Sequence, residues 1–245
     1  MKFSLFLNSR LRPDFLRNFL SSVNRTTSDK NSIEILIRYD DDDELTHALS
    51  KENFNLNTKF IRGPRPDNLI YSYNQIVKKC SGENLFVCND DISILTNNWD
   101  GIALEKIQKY NKEECNSDGI YYCKTYCNSA DRDLTSGYCS FPIISKKATD
   151  VLGFFMYDAF KTLGGDSSIY RLYAGIRRVI NLEEIKIDHL LHNTVSAVCS
   201  PDQVAAEYRH KYFSNPINPM TFDVSKEVKI LKDYINENSK HIFFE

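Results

Sequence analysis

No apolar run in this 245-residue chain reaches the ~20 residues that cross a bilayer. The opening "MKFSLFLN" carries one lysine and a very short apolar stretch that ends at Asn8. It lacks the long apolar region and small-residue cleavage site of a secretory leader, so a cytoplasmic location is expected. A basic excess is missing as well. The formal net charge is -2, which argues against a polybasic membrane contact or a large nucleic-acid footprint. There is no internal repeat, low-complexity segment or linker. The seven cysteines are an odd number, so at least one has no intramolecular partner. Cys115, Cys123, Cys127 and Cys139 lack the paired C-x2-C spacing of structural zinc sites, and reduced, buried thiols are expected. Cys80 and Cys88 read as small core residues. The glycine-rich phosphate loops are absent too: neither G-x-x-x-x-G-K-[ST] nor G-x-G-x-x-G follows the first strand-like segment. Any phosphate must therefore be met by a hard cation on carboxylates and by arginines.

What is present is an alternation of strands and helices. "KFSLFLN" reads as a strand, and Pro13 opens a helix whose apolar residues Phe15, Leu16, Phe19, Leu20 and Val23 recur at helical spacing. "IEILIRY" is a nearly continuous apolar run, the mark of a strand buried on both faces. "TKFIRG" is a third strand, "NLIYSYNQIVKKC" a helix, "NLFVCN" a fourth strand, Trp99 to Tyr110 a helix and "GIYYCKT" a fifth strand. "SFPIISKKATDVLGFF" reads as a strand, a helix capped by Ser145 and a stop at Gly153. "GGDSSIYRLYAGIRR" is a helix entered from a glycine turn, and "VINLEEIKIDHLLHN" is strand-like. From Pro201 two helical stretches are joined by a turn at Pro216 and Pro219. This order predicts an α/β fold, with a mostly parallel central sheet flanked by helices in a single domain. Its expected parts are a nucleotide-binding half (1–112), an acceptor and catalytic half (113–200) and a helical tail (201–245).

Ligands of open α/β sheets bind beyond the carboxyl ends of the strands. That rule gathers Asn8 and Arg10 from the first strand, Asp40 to Glu44 from the second, Arg62 and Arg65 from the third and Asn89-Asp90-Asp91 from the fourth onto one rim. The last group is the sharpest signal. In "LFVCNDDISILTNNWD" an apolar strand runs directly into two adjacent carboxylates. Like charges there call for solvent, a basic partner or a metal ion. Magnesium or manganese, held by one or two carboxylates plus substrate phosphates, suits Asp91 with Asp90 beside it.

The order "LFLNSRLRP", "IEILIRYDDDDE", "IRGPR", "YNQIVKKCSGENLFVCNDDISILTNNWD", "FPIISKKATDVLG" and "GDSSIYRLYAGIRRVINLEEIKIDHLLH" resembles the GT-A fold glycosyltransferases, especially the small family-2-like enzymes of bacteria and phages. The likeness spans residues 2 to about 192. It implies transfer of a sugar from a nucleoside diphosphate sugar, a UDP-sugar foremost, to an acceptor hydroxyl on a glycan, lipid, protein or modified nucleobase. It also implies a divalent metal, Mn2+ or Mg2+. By the same resemblance Asp40 or Asp41 meets the nucleoside and Asp91 is the metal ligand, with Asp90 orienting the loop or touching ribose. Asp166 stands where the catalytic base is expected, and His189 or His192 where a late metal ligand is. Asn8, Arg10, Arg62, Arg65 and Asn74 complete the candidate donor contacts. Asn89 departs from the family's D-x-D, which moves the ligand role to Asp91.

Plainer readings stand beside these. Asp40 to Glu44 is also what a solvated turn and helix start look like. Arg62 and Arg65 suit pairing with that run, Asp166 suits a helix cap, and either histidine suits a structural role. Two other functions share the pattern: a nucleotidyltransferase or pyrophosphorylase, and a non-catalytic sugar-nucleotide-binding module.

Overall fold

The computed structural model of the chain describes residues 2–113, 118–127, 139–160, 165–190 and 221–238. Among these residues one eight-stranded sheet is formed by β1 (Phe3–Ser9), β2 (Ile33–Asp40), β3 (Thr58–Gly63), β4 (Asn84–Val87), β5 (Ile92–Ile94), β6 (Tyr122–Cys127), β7 (Ile143–Ser145) and β8 (Val179–His189). Its order is β3-β2-β1-β4-β7-β6-β8-β5. The helices are α1 (Pro13–Thr26), α2 (Glu44–Leu49), α3 (Leu69–Val77), α4 (Trp99–Glu113), α5 (Lys146–Leu152), α6 (Gly165–Gly175) and α7 (Ser225–Asn238).

The expected α/β architecture is present, and the sheet is mostly parallel. β3, β2, β1 and β4 run parallel. β7 is antiparallel to both β4 and β6, and β6 is parallel to β8. These pairings give β8 the same direction as β1, so His189 at the end of β8 comes to the same rim as the ends of β1, β2 and β4. The strand β5 was not expected from the sequence. Three residues are too few for a periodic signal, and β5 forms because it pairs antiparallel with the end of β8. Of the helices expected after Pro201, α7 lies among the described residues. The rest of that stretch, including Pro216 and Pro219, lies outside them, as does Cys115.

Strand alternation assigns the core. Phe3, Leu5 and Leu7 of β1 face α1, where Leu16, Phe19, Leu20 and Val23 pack with Ile33, Ile35 and Ile37 of β2. Phe6 and Leu36 point to the opposite face and meet Ile70, Tyr73, Ile76 and Val77 of α3. β2 is buried along nearly its whole length, whereas edge strand β3 is only partly covered. Trp99 is a core residue: its ring lies 5.1 Å from the rings of Phe3 and Phe86, and its Nε1 donates to Thr27 Oγ1 at 3.0 Å. Cys80, Cys88, Cys123, Cys127 and Cys139 are buried free thiols. Ser145 caps α5 through Ala148 N, and Gly153 ends it in the left-handed region at φ 80°. Both follow the capping rules read from the sequence.

The edge opposite the rim is held by a buried acid. Glu34 is fully buried and accepts from Ser4 Oγ (2.6 Å), Ser81 N (2.5 Å), Ser81 Oγ (2.8 Å) and Lys59 Nζ (2.7 Å). Gly82 donates to the same Ser4 hydroxyl, and a Cβ on Gly82 would lie 2.5 Å from Ser4 N. Burial alone would lift the Glu34 carboxyl, but the Lys59, Ser4 and Ser81 bonds outweigh it and bring it from 4.5 to about 2. The ionised form is thus favoured in the folded state, so its stabilisation is complete above pH 4.5 and is lost as pH falls toward about 2. Glu34→Ala is expected to lower stability at pH 7 by about 2–3 kcal/mol, because it strands the buried donors that Glu34 satisfies. Denaturant melts across pH should show a shallower acid limb in the variant. An unchanged midpoint at pH 7 would contradict this role.

Candidate active site

The site is built on the turn that leaves β1. Leu11 sits at φ 55°, a strained conformation for a branched residue. Its N–H donates to Asp43 Oδ2 at 2.7 Å, while Asp43 Oδ1 accepts from Thr46 N at 2.9 Å and caps α2. Asp43 is fully buried, so one carboxylate fixes both the β1–α1 turn and the first turn of α2.

The acidic run therefore divides into distinct jobs. Asp40 is buried between two guanidinium groups, accepting from Arg10 Nη1 at 2.9 Å and from Arg38 Nη1. Asp42 is exposed and also pairs with Arg10; that bond is the main reason its carboxyl is held below the usual range. The side chain of Asp41 stays exposed, while its carbonyl accepts from Arg62 Nη2 at 2.5 Å. Arg62 also pairs with Glu44 at 2.6 Å. Arg62 thus joins the acidic run, as the plainer reading expected. Arg65 lines a cleft of about 530 Å³ between the end of β3 and α3, with Arg38, Gly63, Tyr71, Ser72 and Gln75 among the other walls.

β4 delivers Asn89-Asp90-Asp91 beside this cluster. Asn89 Oδ1 accepts from Tyr73 OH at 3.0 Å, which ties the motif to α3. Asp90 is fully buried and accepts from Ser9 Oγ at 2.8 Å and from Arg12 Nη2 at 2.5 Å. Burial pushes its carboxyl up to about 6 against the pull of Arg12, and neighbouring Asp91 adds to the rise. Asp91 Oδ2 accepts from Arg12 Nη1 at 3.3 Å. Asp91 Oδ1 is buried and accepts no hydrogen bond among the described residues; it is ion-paired with His189 Nε2 at 3.5 Å. Burial works against ionisation of Asp91, but His189 and Arg12 outweigh it and hold the carboxyl below its ordinary value.

The pairing of β5 with β8 explains why His189 is there. Ile92 stands opposite His189, and Leu190 N donates to Asp91 O at 2.9 Å. The imidazole meets the Phe141 ring edge-on at 5.2 Å. Burial opposes protonation of His189, yet Asp91 and Cys127 together raise it to about 9.

The other expected site residues fall into two groups. Asn8 belongs to the rim: its Oδ1 accepts from Ser72 Oγ at 2.5 Å, and its buried Nδ2 has no hydrogen-bond acceptor among the described residues. Asn74 serves the backbone instead. Its Oδ1 accepts from Phe155 N and Met156 N, both at 2.9 Å, and its Nδ2 donates to Met156 O and Asp158 Oδ1. Asp166 sits in the first turn of α6 and accepts from Ser167 N at 2.8 Å, and it has no ion-pair partner among the described residues. Burial lifts its carboxyl above the ordinary value, which makes it a stronger proton acceptor once ionised. His192 lies outside the described residues. The cations of the cluster that the sequence did not single out are Arg38, within β2, and Arg12. For Arg12, placement two residues beyond the strand-one rim group and directly before Pro13 was the available signal.

Among the described residues no three His, Cys, Asp or Glu side chains converge as a metal-holding group. Asp91 Oδ1 and His189 Nε2 form a pair, one oxygen and one nitrogen donor. That pair fits a cation that keeps substrate oxygens and water in its remaining positions.

The mostly parallel sheet flanked by helices has the GT-A fold of its structural neighbours, which are sugar-transfer enzymes. The chain belongs to glycosyl transferase family 2, whose family model matches residues 5–177. No curated protein matches the chain. Among solved structures, S. aureus TarS 1–349 in complex with UDP superposes with a TM-score of 0.60 at 13% identity, covering 97% of this chain and 71% of that one. Mannosyltransferase PcManGT from Pyrobaculum calidifontis in complex with GDP-Man and Mn2+ gives 0.58 at 8% identity, covering 98% and 76%. A longer TarS structure gives 0.59 at 13% identity; 98% of this chain is covered but only 44% of that chain.

Asn74 offers a direct check on the division of roles. Asn74→Ala leaves two buried N–H groups unsatisfied and is expected to cost about 2–4 kcal/mol. Nucleotide affinity of the folded fraction should stay near that of the unaltered chain. Loss of affinity with full stability would return Asn74 to the donor contacts.

Proposed function

We propose that this chain transfers a sugar from a nucleoside diphosphate donor to an acceptor hydroxyl, with a divalent cation, Mn2+ or Mg2+, at the donor diphosphate. The observation that carries the reading is the buried Asp91 Oδ1, which accepts no hydrogen bond among the described residues and faces His189 Nε2 at 3.5 Å, on a rim that also holds the buried Asn8 Nδ2 without an acceptor among them. A buried acceptor and a buried donor that make no hydrogen bond are costly unless a ligand meets them. Asp91 and His189 would hold the cation, and coordination would displace the proton from His189. A divalent ion there would neutralise the charge that grows on the departing diphosphate.

The chain's own residues supply the rest. Asp90 is tied to Ser9 and Arg12 and fixes the motif loop. Asp40 is bonded through both oxygens, so a nucleoside contact from it shares lone pairs with Arg10 and Arg38. Asp41, whose carboxylate is exposed, is the freer of the two for the ribose or base. Arg65 and the cleft beside α3 suit the nucleoside. Asp166, lifted by burial, takes the acceptor proton if the reaction inverts the anomeric carbon and positions the acceptor if it retains. The neighbours in complex with UDP and with GDP-Man and Mn2+ support a nucleoside diphosphate sugar as donor. Residues 1–112 would then bind the nucleotide and residues 113–200 the acceptor.

Two substitutions test this. Asp91→Ala should abolish the manganese dependence of UDP and GDP affinity in calorimetric titrations, with the fold retained. Manganese dependence that persists would take the cation away from Asp91. Asp166→Asn should reduce sugar transfer by about 10²-fold or more while donor binding is preserved. Turnover near that of the unaltered chain would leave Asp166 as a helix cap.

A further inference from the structure

The cation reading leaves one residue unexplained. A guanidinium already lies between the two carboxylates that are expected to attract the metal. Arg12 Nη2 is 2.5 Å from Asp90 Oδ1 and Arg12 Nη1 is 3.3 Å from Asp91 Oδ2. Arg12 is thus bonded closely to the fully buried acid and loosely to Asp91, whose other oxygen faces His189. Its backbone is anchored, because Leu11 is held at φ 55° by the buried Asp43. Backbone strain persists only where the surroundings enforce it. In this same position its Cζ lies 6.0 Å from the centre of the Phe15 ring, so the guanidinium also rests on an aromatic face.

We propose that Arg12 is a tethered counter-cation: it neutralises Asp90 and Asp91 in the donor-free protein, competes with the divalent ion for Asp91, and passes to the diphosphate when donor and metal arrive together. This rests on the cation site proposed for Asp91 and His189. The charges favour such a hand-over. Two carboxylates facing Arg12 and His189 are close to balanced. A divalent ion entering alone, even as His189 gives up its proton, would leave a positive excess with Arg12 still in place. A doubly negative diphosphate arriving with the ion offsets that excess and gives the Arg12 fork two oxygens to bind. Asp90, still bonded to Ser9, keeps the loop in register as Arg12 leaves Asp91. Metal alone and nucleotide alone should each bind weakly and together bind strongly.

The forecast for Arg12 runs opposite to that for an ordinary site residue. Removing it should strengthen binding of metal alone. A neighbouring opposite charge changes a carboxylate's affinity for a proton by roughly 10- to 10³-fold, and its affinity for a divalent ion should respond in the same direction. The experiment titrates Mn2+ alone into the unaltered chain, Arg12→Ala and Arg12→Gln, followed by the electron paramagnetic resonance of free Mn2+. UDP is then titrated with chelator present, and the Mn2+ titration is repeated with UDP. Arg12→Gln keeps hydrogen-bonding reach without the charge and serves if the alanine variant folds poorly. Support requires Mn2+ affinity about tenfold or more higher in the variants, together with weaker metal-free UDP affinity. Equal or weaker Mn2+ binding in both variants overturns the competition while leaving the metal site standing. UDP affinity unchanged in Arg12→Gln overturns the hand-over. Absence of Mn2+ binding in all three proteins, with or without UDP, removes the metal site and the counter-cation together.

Discussion

Two adjacent carboxylates at the end of a buried strand are the constraint around which this site is arranged. Asp90 and Asp91 are almost wholly withdrawn from water, and each raises the cost of ionising the other. Positive charge has to be brought to them from elsewhere in the chain. It comes from two directions: Arg12 from the turn after β1, and His189 from the far end of β8. Neither is a neighbour in sequence. The parallel course of β1, β4 and β8 brings both to one rim, and the short strand β5 fastens the end of β8 to the motif. The two carboxyls respond in opposite ways. Asp90, fully buried, rises toward about 6, whereas Asp91 is held low by His189 and Arg12.

The rest of the fold keeps that arrangement rigid. Asp43 pins the turn that carries Arg12, and Tyr73 of α3 holds Asn89 in place. The Asn74 amide fastens the Phe155–Met156 backbone to the same helix. Gly165 brings the start of α6 close to Ile70 and Met156, where a Cβ would meet side-chain atoms at 3.0 Å. At the opposite edge, Glu34 joins the beginnings of β1, β2 and β3 through Ser4 and Lys59. Buried polar groups thus lie at both ends of the central strands, and the middle is apolar on both faces.

Much of this was legible from the chain because it follows local rules. Continuous β-branched runs marked the buried strands, Ser145 and Gly153 marked the limits of α5, and the strand-end rule gathered the rim residues. The resemblance to family-2 glycosyltransferases agreed with the family match. What escaped were features fixed by tertiary contact. β5 is too short for a periodic pattern and exists through its pairing with β8. Arg12 looked like an ordinary residue before a helix-opening proline, and only the neighbourhood of β4 gives it two acids to bind. The acidic run after β2 read as one block. Burial divides it into a double ion pair at Asp40, an exposed side chain at Asp41 and a cap at Asp43. Asn74 lies on the buried face of α3, and the alternation of its neighbours does not reveal that its partners are backbone groups eighty residues away.

The central claim is that Asp91 and His189 share a cation that replaces Arg12 as the partner of Asp91. It is tested most directly by a crystal structure with UDP and Mn2+, recorded at the manganese absorption edge. The expected result is an anomalous peak at coordination distance from Asp91 Oδ1 and His189 Nε2, with the Arg12 guanidinium moved from Asp91 onto the diphosphate. UDP bound with no anomalous peak at Asp91, and with Arg12 still spanning Asp90 and Asp91, would contradict it.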